Sequence, residues 1–258
     1  MLLKILYQDE FIVAVDKPSG LLVHRSMLDK HETQFALQLV RDQIGQHVFP
    51  VHRLDRPTSG VLLFALTPDM ARALGEQFSA NAIEKYYLTI VRGHAPASGL
   101  IDYALKEQLD KIADKLANQD KAAQSAQTSY QRVANFELEY AVGRYQTARY
   151  SLLLVSPKTG RKHQIRRHLA HINHPIVGDT THGDGKHNIF LRNEFAYSGL
   201  ALSCIGMTIH HPVSHTRLTL RADPSDSMVG LLSQWQLTPT QLHQLIEQNL
   251  YKESAQNE

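Results

Sequence analysis

The sequence predicts an α+β fold built around a mainly antiparallel sheet. Segments typical of strands and of helices are mixed along the 258 residues, without the regular strand–helix alternation that a parallel sheet requires. The chain also begins with two strand-like runs, Leu3–Tyr7 and Phe11–Val15, on either side of a short polar turn. No internal repeat or linker interrupts this pattern, which favours a single main domain.

Further elements are predicted from hydrophobic periodicity and from residues that begin or end helices. Gly45 ends one predicted helix, and Thr67–Pro68 begins another as an N-cap followed by a proline at the first helical position. In chain order the predicted elements are a helix over Thr33–Ile44, a strand over Val61–Leu66, the helix after Thr67, strands over Tyr86–Val91 and Tyr150–Val155, a helix over Arg161–Ile172, strands over Leu200–Ile209 and Arg217–Ala222, and a helix over Leu237–Leu250. The run Glu107–Ser129 is compatible with either a helix or a surface insertion.

Composition excludes several classes of protein. Lys and Arg number 27 and Asp and Glu 25, so the net charge of +2 is close to neutral. Cys204 is the only cysteine, which rules out an intramolecular disulfide framework and a multi-cysteine metal cluster. No apolar run reaches the roughly 18 residues of a membrane span, and Met1–Glu10 lacks the pattern of a secretion signal. We therefore expect a soluble protein of the cytoplasm.

The charges are unevenly distributed despite the near-neutral total. The segment Tyr140–Gly178, called here the acid-free segment, contains no Asp or Glu. It carries seven cations: Arg144, Arg149, Lys158, Arg161, Lys162, Arg166 and Arg167. Such a local excess is typical of a surface that binds a polyanion, although a solvated basic helix face would give the same pattern.

Asp55 is the first candidate functional residue. It lies between Arg53 and Arg56, just before Thr58-Ser59-Gly60 and the apolar strand at Val61. A carboxylate on a loop that enters a sheet, with cations beside it, is favoured in its ionised form. A surface ion pair followed by a simple turn is the alternative interpretation.

Arg166 is the second candidate, in the segment Gly160–Arg166. Its neighbours Ile165 and Leu169 belong to the buried face of the predicted helix, so the guanidinium is expected to be partly desolvated and to need a carboxylate partner. Asp55 is the partner that we predict. The alternative is an arginine that contacts phosphate or solvent.

Four motifs in this order resemble the RluA-type pseudouridine synthase family. They are Asp16–Gly20, His52–Arg56 with Thr58–Gly60, Lys85–Tyr87 with Val91 and Gly93, and Thr159–Arg166 continuing to His174–Asp179. The resemblance extends over roughly Leu2–Ala222 and implies the catalytic fold of that family, with a central active-site cleft. Ser203–Cys204, which follows Leu200-Ala201-Leu202, departs from the family pattern, in which a His-Ala pair follows the Leu-x-Leu of the late strand.

The resemblance also implies roles for particular residues. Asp55 is expected to be the catalytic carboxylate, supported by Tyr87 stacked on the target uracil and by Arg166 as the ion-pair partner of Asp55. The residues expected to contact RNA are Arg53, in the gap left by the flipped base, together with Arg161, Lys162 and Arg167. Without the resemblance, Tyr87 would be interpreted as an aromatic side chain of the sheet core. Isomerisation of uridine is redox-neutral and intramolecular, so we expect no metal and no cofactor.

Residues Asp42–Val48 and Leu109–Lys115 resemble the branch of the family that modifies tRNA. This implies a tRNA substrate, with uridine 65 in the T stem as the target. Ribosomal RNA is the alternative substrate, and a non-catalytic RNA-binding protein is a more distant alternative. A metallohydrolase built on His168, His171 and His174 is a further rival, disfavoured because residues spaced by three drift around a helix.

The domain organisation follows from the extent of the motifs. We predict a catalytic domain over residues 1–225, a C-terminal helical extension over residues 226–258, and no separate RNA-binding domain before Leu2. We expect a monomer with no obligate protein partner and no association with membranes.

Overall fold

The computed structural model describes residues 1–24, 33–107 and 122–256, the last six without their side chains. The strands in this part of the chain are β1 (Lys4–Gln8), β2 (Ile12–Lys17), β3 (Phe49–Pro50), β4 (Ser59–Ala65), β5 (Glu84–Arg92), β6 (Ser98–Asp102), β7 (Gln127–Leu138), β8 (Ala148–Pro157), β9 (Leu202–His210) and β10 (Arg217–Arg221). The helices are α1 (Ala36–Ile44), α2 (Pro68–Ser79), α3 (Gln164–His171), α4 (Gly185–Phe195), α5 (Asp226–Gln234) and α6 (Pro239–Gln256).

The described strands form one sheet in the order β1-β2-β4-β9-β5-β8-β7-β6, with β3 paired to β4 and β10 to β9. The ladders are antiparallel except for one parallel pairing, in which Ser59 and Gly60 of β4 oppose Ser203 and Cys204 of β9. All residues of β4 are buried, and nearly all of β8 and β9 are. The prediction of an α+β fold with a mainly antiparallel sheet is confirmed.

Local signals placed several elements correctly. Gly45 ends α1 in the left-handed conformation, with φ of 67°. The Thr67 side chain caps α2 by accepting a hydrogen bond from the Met70 amide, as expected for that residue before Pro68. Helix α3 begins later than the predicted residue 161, because His163 has a left-handed φ of 53° and cannot continue a helix.

Five described elements were not predicted: β3, β6, β7, α4 and α5. Strand β7 is largely polar and only partly buried, so its sequence lacks clear alternation. Helix α4 buries only Leu191 completely and so lacks a regular apolar face, whereas α5 is a short helix that contains Gly230, a poor helix former. Residues 108–121, which include most of the run predicted as a helix or an insertion, lie outside the described residues.

The C-terminal helices pack on the same core as the sheet. Met228, Leu231 and Leu232 of α5 are buried, and Trp235 stacks on Tyr150 of β8 with a ring-centroid distance of 4.8 Å. The division at residue 225 into a catalytic domain and an extension stays a prediction. None of the described helices combines the length and the apolar character that a membrane span requires.

The parallel pairing of β4 with β9 generates a testable prediction about stability. Gly60 has φ of 105°, and a Cβ atom added there would lie 2.0 Å from the carbonyl oxygen of Cys204. We expect Gly60→Ala to lower the free energy of unfolding by about 3 kcal/mol, because the two backbones would have to separate. Urea unfolding followed by circular dichroism measures the change.

The same substitution at Gly75 of α2 is the matched control. A Cβ atom there meets no atom within 4 Å, and alanine favours a helix over glycine by about 1 kcal/mol. We therefore expect Gly75→Ala to stabilise the protein. Equal effects of the two substitutions would contradict the proposed backbone constraint at Gly60.

Candidate active site

Asp55 lies on the loop between β3 and β4, at residues 51–58. Its carbonyl accepts a hydrogen bond from the Thr58 amide at 3.0 Å, which closes a tight turn just before the buried strand β4. The Asp55 side chain is 23% exposed. The loop therefore presents one partly accessible carboxylate at the end of a rigid strand.

The turn after β2 holds this loop in place. Lys17 is completely buried, and its ammonium donates hydrogen bonds to the carbonyls of Pro18, Leu21 and Arg56 at 2.9, 2.8 and 3.1 Å. Three acceptors match the three hydrogen atoms of an ammonium group. Lys17, which belongs to the first motif, thus binds the carbonyl of Arg56, the residue after Asp55. The sequence did not indicate this role.

Burial strongly affects the charge of Lys17. It lowers the pKa of the ammonium to about 7, while the charges of Asp55 and Asp16 oppose that shift.

Ser19 makes a second contact that holds the same loop, since its hydroxyl donates a hydrogen bond to the Pro57 carbonyl at 2.8 Å. The first motif and the Asp55 loop therefore form one structural unit.

Arg166, in the first turn of α3, joins two carboxylates. Its Nε and Nη2 donate to the two carboxylate oxygens of Asp179 at 2.7 and 2.8 Å, a bidentate arrangement. Its Nη1 donates to Oδ2 of Asp55 at 3.3 Å. Arg166 and Asp55 are thus in contact, but the hydrogen bonds of Arg166 to the fully buried Asp179 are shorter. Asp179 lies within one of the sequence motifs, but no partner was predicted for it.

The surroundings of the pair explain its charge state. Burial acts to lower the pKa of Arg166, but hydrogen bonds and charge from Asp179 and Asp55 raise it overall. Burial acts to raise the pKa of Asp179, and the hydrogen bonds from Arg166 and from the His182 and Thr181 amides lower it overall. Both groups are therefore ionised at neutral pH.

His163 connects Asp55 to a second histidine. Its Nε2 lies 3.7 Å from Oδ2 of Asp55, and its Nδ1 lies 3.1 Å from Nε2 of His182. Burial lowers the pKa of His163, Arg166 and Lys162 act in the same direction, and Asp55 opposes the shift. A neutral imidazole consequently lies beside the carboxylate.

Tyr87 of β5 faces the same cavity as Asp55 and Arg166. Burial raises the pKa of its phenol well above the ordinary value and Cys204, its cross-strand neighbour, acts in the same direction, so the hydroxyl stays protonated. Burial likewise raises the pKa of Cys204 to about 12. The departure from the family pattern at Ser203–Cys204 therefore lies directly behind Tyr87.

A cavity of about 480 Å³, called here the Asp55 cavity, is lined by Asp55, Tyr87, His163 and Arg166. A volume of this size suits a small organic ligand or a single nucleoside. Its further lining side chains include His52, Phe78, Lys85, Ile165 and Leu202. The combination offers an anionic group, a fixed guanidinium and apolar walls, which suits a reaction at a carboxylate shielded from water.

Three of the four predicted RNA-contacting cations also line the Asp55 cavity. Arg53, Arg161 and Lys162 are exposed at its edge. Arg167 does not line the cavity; it is partly buried on another side of α3. The three lining cations therefore come from two separate segments, the β3–β4 loop and the turn between β8 and α3.

Lys85 is a cavity residue to which the sequence analysis gave no role. It lines the cavity beside Tyr87, and burial lowers the pKa of its ammonium. His52 is a neighbour with a structural function: its ring stacks on Phe78 and its Nε2 accepts a hydrogen bond from the Leu63 amide at 3.0 Å. Burial lowers the pKa of His52 to about 3, so it remains neutral.

The histidines of the rival metal hypothesis have protein partners instead. His168 contacts the Thr128 hydroxyl at 2.9 Å and the Tyr103 carbonyl at 3.0 Å. His174 contacts the Arg92 carbonyl at 2.9 Å. Within residues 1–24, 33–107 and 122–256, no three His, Cys, Asp or Glu side chains converge as metal ligands.

Comparison with known proteins relates this geometry to a family. The family model described as RNA pseudouridylate synthase matches residues 11–171, which include Asp55, Tyr87 and Arg166. A tRNA pseudouridine synthase C from Vibrio parahaemolyticus is 54% identical over 234 residues, covering 91% of this chain and 95% of the Vibrio protein. Those from Vibrio cholerae and Haemophilus influenzae are 55% and 52% identical, each over 91% of this chain and over 97% and 95% of their own lengths.

Solved structures share the fold. Human RNA pseudouridylate synthase domain containing 4 aligns with a TM-score of 0.67 at 24% identity, over 90% of this chain and 93% of its own. Human RNA pseudouridylate synthase domain containing 1 gives the same TM-score at 21% identity, over 89% and 87%. With the family model matched over more than half of its length and close relatives over nine-tenths of it, the chain belongs to the RNA pseudouridylate synthase family, whose enzymes isomerise uridine to pseudouridine in RNA.

Proposed function

We propose that this enzyme isomerises a uridine of tRNA, with Asp55 as its catalytic carboxylate. The observation that carries the proposal is the contact of Asp55 with Arg166 at the wall of a nucleoside-sized cavity. The names of the close relatives, tRNA pseudouridine synthase C, support tRNA as the substrate. The resemblance to that branch leads us to propose uridine 65 in the T stem as the target, and a monomer as the active form.

The reaction needs few chemical groups. The bond between N1 of uracil and C1′ of the ribose breaks, the base turns, and a bond forms between C5 and C1′. The proton leaves C5 and one is gained at N1, so atoms and electrons balance without a cofactor. A carboxylate placed at the sugar and a closed pocket that retains the detached base are sufficient.

Asp55 is arranged for that task. Both of its contacts, with Arg166 and with His163, are made by Oδ2. Among the described residues Oδ1 has no hydrogen-bond partner, so we propose that this oxygen reacts. It serves as a nucleophile toward the sugar or the base, or as the base that removes a sugar proton, and each route begins with the same placement of the carboxylate.

The neighbouring residues complete the proposed site. We assign the ring of Tyr87 to stacking on the target uracil, because it lines the cavity and its protonated phenol adds no charge there. Arg166 acts as a positioning residue: the bidentate bond to Asp179 fixes its guanidinium, which in turn orients Asp55.

The substrate base must leave its stack before it can reach Asp55. Unstacking costs a few kcal/mol, which contacts with the RNA backbone offset. We propose that Arg53, exposed next to Asp55, fills the space that the base vacates. Arg161, Lys162 and Arg167 then bind phosphates around the opening.

Replacement of the carboxylate tests its catalytic role. We expect Asp55→Asn to reduce turnover of tRNA at least about 10⁴-fold, because the amide neither attacks carbon nor accepts a proton. The dissociation constant for tRNA should stay within about twofold, since the side chain keeps its shape. Tritium release from RNA labelled at C5 of uridine measures turnover, and filter binding measures affinity.

Asp69→Asn, at an exposed position in the first turn of α2, is the control and should leave turnover unchanged. Retained turnover in the Asp55→Asn variant would refute the catalytic assignment. Chemical mapping of pseudouridine in the reacted RNA checks the proposed position, and modification of ribosomal RNA alone would favour the alternative substrate.

Replacement of the guanidinium tests its positioning role. Arg166→Lys keeps the charge, but a single ammonium cannot make the bidentate bond to Asp179 and also reach Asp55. We expect kcat to fall about 100-fold, the effect of a displacement of about 1 Å at a reacting group. KM for tRNA should change little, because the charge is retained.

Arg72→Lys, at an exposed position on α2, is the matched substitution and should alter neither constant. Steady-state kinetics measure both variants, and thermal melting verifies that each is folded. A rise in KM with unchanged kcat would assign Arg166 to RNA binding rather than to orientation of Asp55.

A further inference from the structure

A second cavity, larger than the Asp55 cavity, lies away from Asp55. It has a volume of about 820 Å³ and is called here the Arg144 cavity. It forms where β5 and β7 end and β8 begins on one side, and where α4 begins on the other. Its charged lining residues are Arg92, Glu137, Arg144, Arg149, Asp184 and Lys186.

The cations of this cavity are not equivalent. Arg92 pairs with Asp184, and Arg149 pairs with Glu137 at 3.0 Å, so these four charges are internally balanced. Arg144 and Lys186 are exposed and have no carboxylate partner among the described residues. Four cations and two carboxylates leave the cavity with a charge of +2.

The two unbalanced cations lie close together beside an exposed aromatic ring. The turn Val142–Tyr145 carries Arg144, and a Cβ atom added at Gly143 would lie 3.8 Å from Cδ of Lys186. The Arg144 guanidinium lies 5.0 Å from the centre of the Tyr145 ring, which is 58% exposed. Guanidinium and aromatic groups together form a surface suited to phosphates and stacked bases.

The acid-free segment runs between the two cavities. Its early cations, Arg144 and Arg149, line the Arg144 cavity, while Arg161, Lys162 and Arg166 line the Asp55 cavity. Because this segment contains no carboxylates, every charged side chain that it contributes to either cavity is a cation.

The spacing of the cavities excludes a single nucleotide as a common ligand. Along β5, Tyr87 of the Asp55 cavity and Arg92 of the Arg144 cavity are five residues apart, about 17 Å. Along β8 the separation from Pro157 to Arg149 is eight residues, about 26 Å. Helix α3 spans the gap, with Arg167 and the exposed His171 one turn apart on it.

We propose that the Arg144 cavity is a second RNA-binding site that anchors the phosphate backbone of the substrate at a distance from the uridine that reacts. The proposal rests on the proposed function for the identity of the substrate. The anchor binds a folded RNA whose stem extends beyond the target, and it supplies part of the binding energy needed to unstack the base.

Charge reversal tests the anchor. We expect Arg144→Glu combined with Lys186→Glu to raise KM for full-length tRNA about tenfold or more, with kcat unchanged, because phosphate contacts are lost far from the reacting atoms. The slope of log KM against log salt concentration should decrease by about one for each lost contact. A short stem–loop that carries the same uridine should be turned over equally by the variant and the wild type.

Arg41→Glu, on α1 beside β1 at the opposite edge of the sheet, is the matched control and should leave KM unchanged. Thermal melting verifies the fold of each variant. An unchanged KM for tRNA in the double variant overturns the anchor, as would an equal loss on tRNA and on the stem–loop. The anchor is also overturned if the double variant loses affinity for an acidic peptide but not for RNA.

The two proposals fail in different ways. Wild-type protein that forms no pseudouridine in tRNA overturns the tRNA assignment, and the same comparison of variants is then made with ribosomal RNA. The anchor fails when the wild type turns over its RNA and the double variant does so with the same KM and the same dependence on salt.

Discussion

The architecture of the site depends on the buried pair between Arg166 and Asp179. An uncompensated charge at that depth would cost several kcal/mol, so neither side chain tolerates the loss of its partner. The pair joins the start of α3 to the turn after Ile176, and Asp55 contacts it from the β3–β4 loop. Three separate parts of the chain are thereby fixed around the Arg166 guanidinium. The bond between Arg166 and Asp179 fixes the guanidinium, and the guanidinium in turn orients Asp55.

Much of this site could be predicted from the sequence, and the part that could not has a physical reason. Asp55, Tyr87 and Arg166 occur in recognisable motifs, and the prediction that they would be close together agrees with their place in one cavity. Asp179 was missed as the principal partner of Arg166 because the sequence alone does not distinguish between two possible carboxylate partners. Asp55 is distant in sequence and Asp179 is nearby, and either could pair with a buried guanidinium. Only the direction of each side chain, set by tertiary packing, decides between them.

In the fold, too, elements set by neighbouring residues were predicted, and elements set by tertiary contacts were not. Helix α2 and the hairpin β1–β2 were predicted because Thr67, Pro68 and two apolar runs beside a short polar turn act within a few positions. Strand β7 was not, because its stability comes from its ladders with β6 and β8 and little from its own residues. The role of Lys17 in holding the Asp55 loop could not be predicted either. Its three acceptors are backbone carbonyls, and the pattern of side chains in a sequence does not show where carbonyls lie.

The order of strands has a consequence for how the chain folds. Strand β9 lies between β4 and β5, yet it is made more than a hundred residues after either of them. During synthesis, β4 and β5 therefore lack their common neighbour until β9, which ends at residue 210, has been made. Pairing over such sequence separations gives a high contact order and slow folding. Because Cys204 of that late strand pairs with Tyr87 and lies against Gly60, the surroundings of Asp55 are complete only after β9 has been made.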